Sequence, residues 1–189
     1  MGHYYHYDGE GRLKNVITSG PWVAGQVAAI DTVGRTIYLY GFGREKGVDP
    51  YYYMLYKASI DKEGVTLLTP ENAQHGVSFL SSKRYFVDTY SRVDMEPKIV
   101  LRNKQGKMIM ELAKPDTRRL KELGWRAPER FTVKAADGLT DIYGIMWKPA
   151  DFDPNKKYPI ISSVYPGPFF EYVNTSFRVD DSYNMRLAQ

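Results

Sequence analysis

The sequence predicts a mainly β fold. Sixteen tyrosines and eight phenylalanines are a heavy aromatic load for 189 residues, and aromatic side chains favour the half-buried surface of a pleated sheet. Short runs rich in Val, Ile, Thr and Tyr alternate with clusters of Gly, Pro, Asp and Asn, as strands alternate with turns. The strand candidates are residues 4–7, 13–18, 23–30, 36–40, 52–60, 65–68, 77–80, 85–90, 98–102 and 107–112.

Three similar turns, at residues 8–11, 61–64 and 103–106, each join two strand candidates and end in a glycine. Glycine suits the positive φ that such hairpins need. The spacing between these turns is close to the length of a propeller blade, roughly 40–50 residues. In addition, Val16-Ile17-Thr18 recurs as Leu67-Leu68-Thr69. These repeats predict a partial β-propeller of about two blades. Periodicity alone leaves an ordinary β-sandwich as the alternative.

The pattern changes after residue 112. A Pro-Asp start, two leucines on one face and a final glycine predict a short helix over residues 114–124. Beyond it we expect a hairpin of residues 128–135 and 140–148 around Asp137-Gly138, an apolar strand at 158–165 ending in Pro-Gly-Pro, and a helix within 173–189.

Composition excludes several classes of protein. The formal charge is +4, but 26 basic and 22 acidic residues are interleaved, so no basic stripe predicts nucleic-acid binding. The absence of cysteine excludes disulfides and thiolate chemistry. No apolar run reaches the roughly 18–20 residues of a membrane span, and residues 1–8 do not resemble a signal peptide. We therefore expect no membrane contact from this sequence.

Two stretches carry a family resemblance. Residues 128–138, Pro-Glu-Arg-Phe-Thr-Val-Lys-Ala-Ala-Asp-Gly, continuing to Lys148-Pro149, resemble the opening of the catalytic domain in the prolyl oligopeptidase family of serine peptidases. Residues 152–161 and Val164-Tyr165-Pro166-Gly167-Pro168 resemble its dipeptidyl peptidase IV branch. Upstream, residues 19–22, 55–56, 77–79 and 85–91 are similar to the last propeller blades of that branch.

The resemblance implies an eight-bladed propeller that caps an α/β-hydrolase domain. It predicts that residues 1–114 are the C-terminal blades, 115–127 a linker helix, and 128–189 the truncated start of the hydrolase domain. Since propellers hide strand edges by closing on further blades, we expect a chain that begins inside a strand pair to be part of a longer protein.

A peptidase of this kind needs a serine nucleophile, a histidine base and oxyanion donors. The sequence has no Gly-x-Ser-x-Gly elbow, and His3, His6 and His75 are interpreted as strand or turn residues. Pro166 has no N–H to donate, which leaves Gly167 or a side chain as the donor. The resemblance assigns that role to Tyr165, whereas chemistry alone leaves Tyr165 open to a packing role.

No metal or cofactor site is predicted, because cysteine is absent and no close arrangement of carboxylates around a histidine is apparent. The acidic residues are interpreted as solvated turn or strand residues, among them Glu10, Glu45, Glu63, Glu71 and Glu96. The family's pair of glutamates for the substrate's N terminus belongs to a segment that this chain does not contain.

By resemblance, the full-length parent is a serine exopeptidase that releases N-terminal dipeptides, Xaa-Pro or Xaa-Ala, from peptide substrates. It is expected to be a homodimer in the periplasm or outside the cell, and the fragment alone is expected to be inactive. A tripeptidyl or acylaminoacyl peptidase is an alternative in the same class. Outside that class, the alternatives are a self-standing β-rich interaction module and a truncated product without its own function.

Overall fold

The computed structural model of the chain describes residues 2–165, 173–179 and 188. Within them the backbone is mostly β, with one short helix. The strands are β1 (Tyr5–Tyr7), β2 (Leu13–Val16), β3 (Val23–Asp31), β4 (Thr36–Phe42), β5 (Met54–Ser59), β6 (Val65–Leu67), β7 (Gln74–Phe79), β8 (Tyr85–Arg92), β9 (Met95–Asn103), β10 (Met108–Ala113), β11 (Glu129–Lys134) and β12 (Asp141–Met146), and the helix is α1 (Arg118–Glu122).

The first ten strands form three antiparallel sheets. Strands β3 to β6 make one four-stranded sheet in chain order, β7 to β10 make a second, and β1 and β2 pair as a hairpin. Consecutive four-stranded antiparallel sheets are the repeating unit of a β-propeller. The predicted fold class, a mainly β chain with about two propeller blades, is confirmed.

The three predicted hairpin turns are confirmed. They join β1 to β2, β5 to β6 and β9 to β10, and each pair of strands is hydrogen-bonded. The closing glycines Gly11, Gly64 and Gly106 have φ values of 79°, 120° and 83°, a region that L-residues with a side chain rarely adopt. Local sequence therefore fixed these three turns.

The predicted repeat around Thr18 and Thr69 is also a structural repeat. The Thr18 hydroxyl accepts a hydrogen bond from the Tyr4 N–H at 2.9 Å, and the Thr69 hydroxyl accepts one from the Leu55 N–H at 2.8 Å. The residue before each threonine donates its own N–H to the carbonyl oxygen of the same partner, Tyr4 or Leu55. The hairpin β1–β2 thus corresponds to β5–β6, the last two strands of a blade.

Replacing Thr69 by valine is expected to lower the free energy of unfolding by about 1–3 kcal/mol, because the buried Leu55 N–H loses its acceptor. Thr66→Val is the matched control, since Thr66 is exposed on β6 and valine suits a strand. Urea unfolding followed by circular dichroism measures both changes. Equal stability of the two variants would contradict this role for Thr69.

The core of this β region forms two clusters of buried side chains. One contains Trp22, Leu39 and Tyr56, and the other contains Leu55 and Phe86. Gly41 lies against the first cluster, where an added Cβ would lie 2.5 Å from the Trp22 ring. Glycine at this position therefore lets strand β4 approach the tryptophan closely.

The chain divides into two compact units. One comprises Met1–Ser91 and Pro97–Lys114, and the other comprises Arg92–Glu96 and Pro115–Gln189. In the second unit β11 and β12 pair over six residues without a register shift, so the hairpin around Asp137-Gly138 is confirmed. The assignment of residues 128–189 to the start of a hydrolase domain stays a prediction.

The predicted strand at 158–165 is wrong. Residues 158–165 form neither helix nor strand, and Ile160 is 88% exposed. An apolar run of this kind becomes a strand only when neighbouring strands hydrogen-bond its backbone and cover both faces, and no strand of the described residues pairs with it.

The two predicted helices differ from the structure. The helix expected over 114–124 is shortened to α1, and Gly124 follows it with a φ of 77°, as a terminating glycine does. The helix expected within 173–189 is not formed over residues 173–179. Residues 180–187 and 189 lie outside the described part of the chain.

Candidate functional site

Tyr165, the one predicted catalytic residue, lies at the end of the segment 2–165. Tyr165 is 57% exposed. Pro166, Gly167 and Pro168, which complete the predicted oxyanion corner, lie outside the described residues. The catalytic role of Tyr165 therefore stays a prediction.

The three histidines make contacts within the β region. The His3 ring nitrogens lie 3.1 Å from the Thr18 hydroxyl and 3.0 Å from the Gly20 carbonyl oxygen. His6, on β1, lies 3.2 Å from the Asn15 side-chain oxygen. Both surroundings are those of residues that hold a strand or turn in place.

His75, on β7, belongs to a polar cluster of four side chains, which we call the charge cluster: Glu71, His75, Asp88 and Arg102. Three of the four are buried, and Glu71 is partly exposed. His75 Nδ1 lies 2.9 Å from Asp88 Oδ1. The Arg102 guanidinium donates from Nε to Asp88 Oδ2 at 2.8 Å and pairs with Glu71 Oε1 at 2.6 Å. Strands β7, β8 and β9 and the loop before β7 are thereby linked through charged groups.

The remaining contacts of the charge cluster are to backbone carbonyl oxygens. His75 Nε2 lies 3.0 Å from the Glu71 carbonyl oxygen, which can only accept, so Nε2 donates. Arg102 Nη1 donates to the Gly106 carbonyl oxygen at 3.0 Å. Because both ring nitrogens of His75 contact oxygens of the protein, His75 is not placed to act as a general base.

Charge compensation explains how Arg102 can be buried. Burial by itself lowers the pKa of Arg102, but its hydrogen bonds and charge interactions with Glu71 and Asp88 outweigh burial and raise the pKa. Arg102 therefore stays cationic between two carboxylates. Such a pairing is expected wherever a charge is removed from water.

Two sequence interpretations are corrected here. Glu71 is not a solvated acid, because it pairs with Arg102 and its Oε2 atom is buried. The histidines do not all lack nearby carboxylates, because ligand atoms of Glu71, His75 and Asp88 lie within 4.8 Å of one another. A metal ion would have to compete with the Arg102 guanidinium, which already supplies the positive charge between these carboxylates.

A signal for this cluster was present in the sequence. Phe86, Asp88 and Tyr90 alternate along β8, so they share one face of the strand. All three are buried. A carboxylate in the middle of a buried row requires a partner, but the alternation does not say that the partners are His75 and Arg102.

The fold and these contacts define a segment of an antiparallel β-propeller in which charged side chains link three strands of the second four-stranded sheet and the loop that precedes it. The family described as "Dipeptidyl peptidase IV (DPP IV) N-terminal region" matches residues 1–97, which is more than half of the chain. The chain belongs to this family, which confirms the resemblance seen in the sequence.

Individual relatives agree with this assignment. Dipeptidyl peptidase 8 of Homo sapiens is 28% identical over 182 residues, covering 86% of this chain and 19% of the relative. Dipeptidyl peptidase 4 of Arthroderma otae is 25% identical over 186 residues, covering 95% of this chain and 23% of the relative. The chain thus spans about a fifth of the length of the curated relatives that it matches.

The crystal structure of Porphyromonas gingivalis dipeptidyl peptidase 4 is similar with a TM-score of 0.76 and 23% sequence identity, over 98% of this chain and 26% of that one. At this identity the similarity supports the fold alone. Among the described residues, no helix is long and apolar enough to cross a membrane.

Proposed function

We propose that this chain is part of a serine peptidase that removes dipeptides, Xaa-Pro or Xaa-Ala, from the N terminus of peptides. The observation that carries the proposal is the family match over residues 1–97, together with relatives that are named dipeptidyl peptidases. In this proposal residues 1–114 contribute propeller blades and residues 128–189 begin the catalytic domain.

Tyr165 is proposed to stabilise the oxyanion of the tetrahedral intermediate. A phenol O–H aimed at the developing negative charge donates a hydrogen bond that is stronger in the transition state than in the substrate complex. Pro166 follows directly and has no N–H for this purpose. The exposure of the Tyr165 side chain is compatible with contact to a substrate.

The chain alone is proposed to be inactive. The sequence holds three histidines and no nucleophile elbow, and the ring nitrogens of His75 contact Asp88 and the Glu71 carbonyl oxygen. In this proposal the general base for the serine nucleophile comes from elsewhere in the full-length protein.

In the full-length protein, Tyr165→Phe is expected to lower kcat for a Gly-Pro chromogenic substrate by on the order of 10²-fold with little change in KM, since an oxyanion donor acts only in the transition state. Tyr158→Phe is the matched control. Its hydroxyl accepts a hydrogen bond from the Asp153 N–H at 3.0 Å, a structural contact that is expected to leave kcat nearly unchanged.

Three outcomes of these assays count against the proposal. Unchanged kcat in Tyr165→Phe would make Tyr165 a packing residue. Preference for a tripeptidyl or an acetylated aminoacyl substrate over Gly-Pro would assign the parent to one of the related peptidases. No hydrolysis of any of the three substrates by the full-length protein would remove the peptidase assignment.

A β-rich interaction module is the second candidate, and one observation favours it. All six residues of β10 are exposed, including Met108 and Met110, and β10 lies at the edge of its sheet. Exposed apolar edge strands pair readily with other chains. Size-exclusion chromatography tests this candidate, since a monomer at all concentrations would count against it.

A further inference from the structure

A hollow of about 310 Å³ lies in the β region, beside the charge cluster. Its lining residues come from β3, β4, β7 and the loop before β5: Gly25, Gln26, Tyr40, Phe42, Tyr53 and His75. All six belong to the same compact unit. The volume is at the lower end of the roughly 300–1,000 Å³ that small-ligand pockets occupy, so the hollow suits a short segment rather than a folded domain.

Aromatic rings form the wall of the hollow. The Tyr53 ring centroid lies 5.2 Å from that of Phe42 and 6.2 Å from that of Tyr40. The three side chains are half-buried, so part of each remains accessible. Gly25 adds no side chain to the lining, and a Cβ there would lie 3.3 Å from the Tyr40 carbonyl oxygen and 3.7 Å from Phe42 Cε1. A larger residue at this position would therefore crowd the wall that Tyr40 and Phe42 form.

Tyr40 supplies a hydrogen-bond donor. Its hydroxyl oxygen accepts from the Val77 N–H at 2.7 Å, and among the described residues no acceptor takes its own hydrogen. Burial raises the pKa of Tyr40, the Asp88 charge adds to the increase, and the Val77 hydrogen bond opposes it. The phenol thus keeps its proton at neutral pH. Gln26, which is exposed, offers an amide at the rim.

The charges around the hollow disfavour a cationic ligand. Asp88 and Glu71, which lie behind His75, are paired with Arg102, and none of the described residues that line the hollow carries a carboxylate. An aromatic wall with one O–H donor instead matches an apolar ring next to a carbonyl oxygen. A prolyl residue in an extended peptide has both features, and aromatic-lined grooves recognise such peptides at low entropic cost.

We propose that this hollow binds a prolyl residue of an extended peptide, with the ring against Phe42 and Tyr53 and the preceding carbonyl oxygen accepting a hydrogen bond from Tyr40. This proposal rests on the proposed function, in which peptides are the substrates of the full-length protein. In this proposal the hollow holds a peptide segment without cleaving it.

The test uses acetyl-Ala-Pro-Pro-Ala-amide, titrated into the 189-residue chain and followed by amide chemical shifts in NMR spectra. The peptide has no free N terminus, so hydrolysis plays no part, and failure of this proposal is distinguishable from failure of the peptidase assignment. We expect saturable shifts at Gly25 and Gln26, and at least several-fold weaker binding of acetyl-Ala-Ala-Ala-Ala-amide.

Tyr40→Phe retains the ring and removes the donor, so binding is expected to weaken by about 3–10-fold, the effect of one neutral hydrogen bond. Phe42→Leu retains an apolar side chain and is expected to weaken binding without removing the Tyr40 donor. Tyr5→Phe is the matched control, because Tyr5 is an exposed tyrosine on β1 outside the hollow. The affinity of this variant for the prolyl peptide is expected to equal that of the wild type.

Equal affinity for the prolyl and alanyl peptides would overturn the proposal, as would shifts confined to residues outside the hollow. Wild-type affinity in both Tyr40→Phe and Phe42→Leu would overturn it as well. Circular dichroism establishes whether each variant is folded. If Tyr40→Phe does not fold, the titration of Phe42→Leu decides the outcome.

Discussion

Replacing Asp88 by alanine is expected to lower the free energy of unfolding by about 3–5 kcal/mol, the range found when one member of a buried ion pair is removed. The Asp88 side chain is fully buried and contacts both His75 and Arg102. Without it, the Arg102 guanidinium remains buried with Glu71 as its single carboxylate partner among the described residues. Urea unfolding followed by circular dichroism measures the loss.

Asp61→Ala is the matched control for this experiment. Asp61 also pairs with an arginine, Arg35, but both side chains are about half exposed. Water replaces such a contact at little cost, so the unfolding midpoint is expected to stay close to that of the wild type. If Asp88→Ala and Asp61→Ala lost the same stability, the charge cluster would not stabilise the fold.

Replacing Gly106 by alanine is expected to lower the free energy of unfolding by roughly 2–5 kcal/mol. The φ of 83° at Gly106 costs an L-residue about 1–2 kcal/mol, and crowding in a packed site adds roughly 1–3 kcal/mol. The added Cβ would lie 2.5 Å from the Leu68 carbonyl oxygen, and backbone cannot rotate away as a side chain can. The Gly106 carbonyl oxygen also accepts from Arg102, so the shift would disturb the charge cluster.

Gly11→Ala separates these two contributions. Gly11 closes the equivalent turn between β1 and β2 with a φ of 79°, but an added Cβ there meets no atom of the described part of the chain within 4 Å. Its expected loss is the conformational cost alone, about 1–2 kcal/mol. Equal losses for Gly11→Ala and Gly106→Ala in urea unfolding would show that the Leu68 contact relaxes without cost.

The two predictions concern one feature of the β region. Gly106 lets the turn between β9 and β10 approach Leu68, next to the buried Thr69. From the same turn the Gly106 carbonyl oxygen binds Arg102, which binds Asp88 and Glu71. The second blade is thereby attached to the chain that leaves the first. This arrangement also holds His75 at the hollow for which a peptide ligand is proposed.

The family and the order of its elements were predictable from the sequence. Strands, turn glycines and the hairpin around Asp137-Gly138 depend on side-chain alternation and local backbone preference. Both properties can be recognised in short segments of the sequence. The resemblance of residues 128–168 and of the upstream blade segments identified the family, which the match to residues 1–97 confirms. The role of Tyr165 comes from that resemblance and stays a proposal.

Tertiary structure alone decided the partners of the polar residues. Glu71, His75, Asp88 and Arg102 are spread over 32 residues of sequence, and the pairing of β8 with both β7 and β9 brings them together. The same physical reason explains the wrong prediction at 158–165, where the sequence has the composition of a strand but the described residues provide no hydrogen-bonding neighbour. Sequence determined which segments can form strands and turns, whereas pairing across the sheets determined which strands form and which charges are buried together.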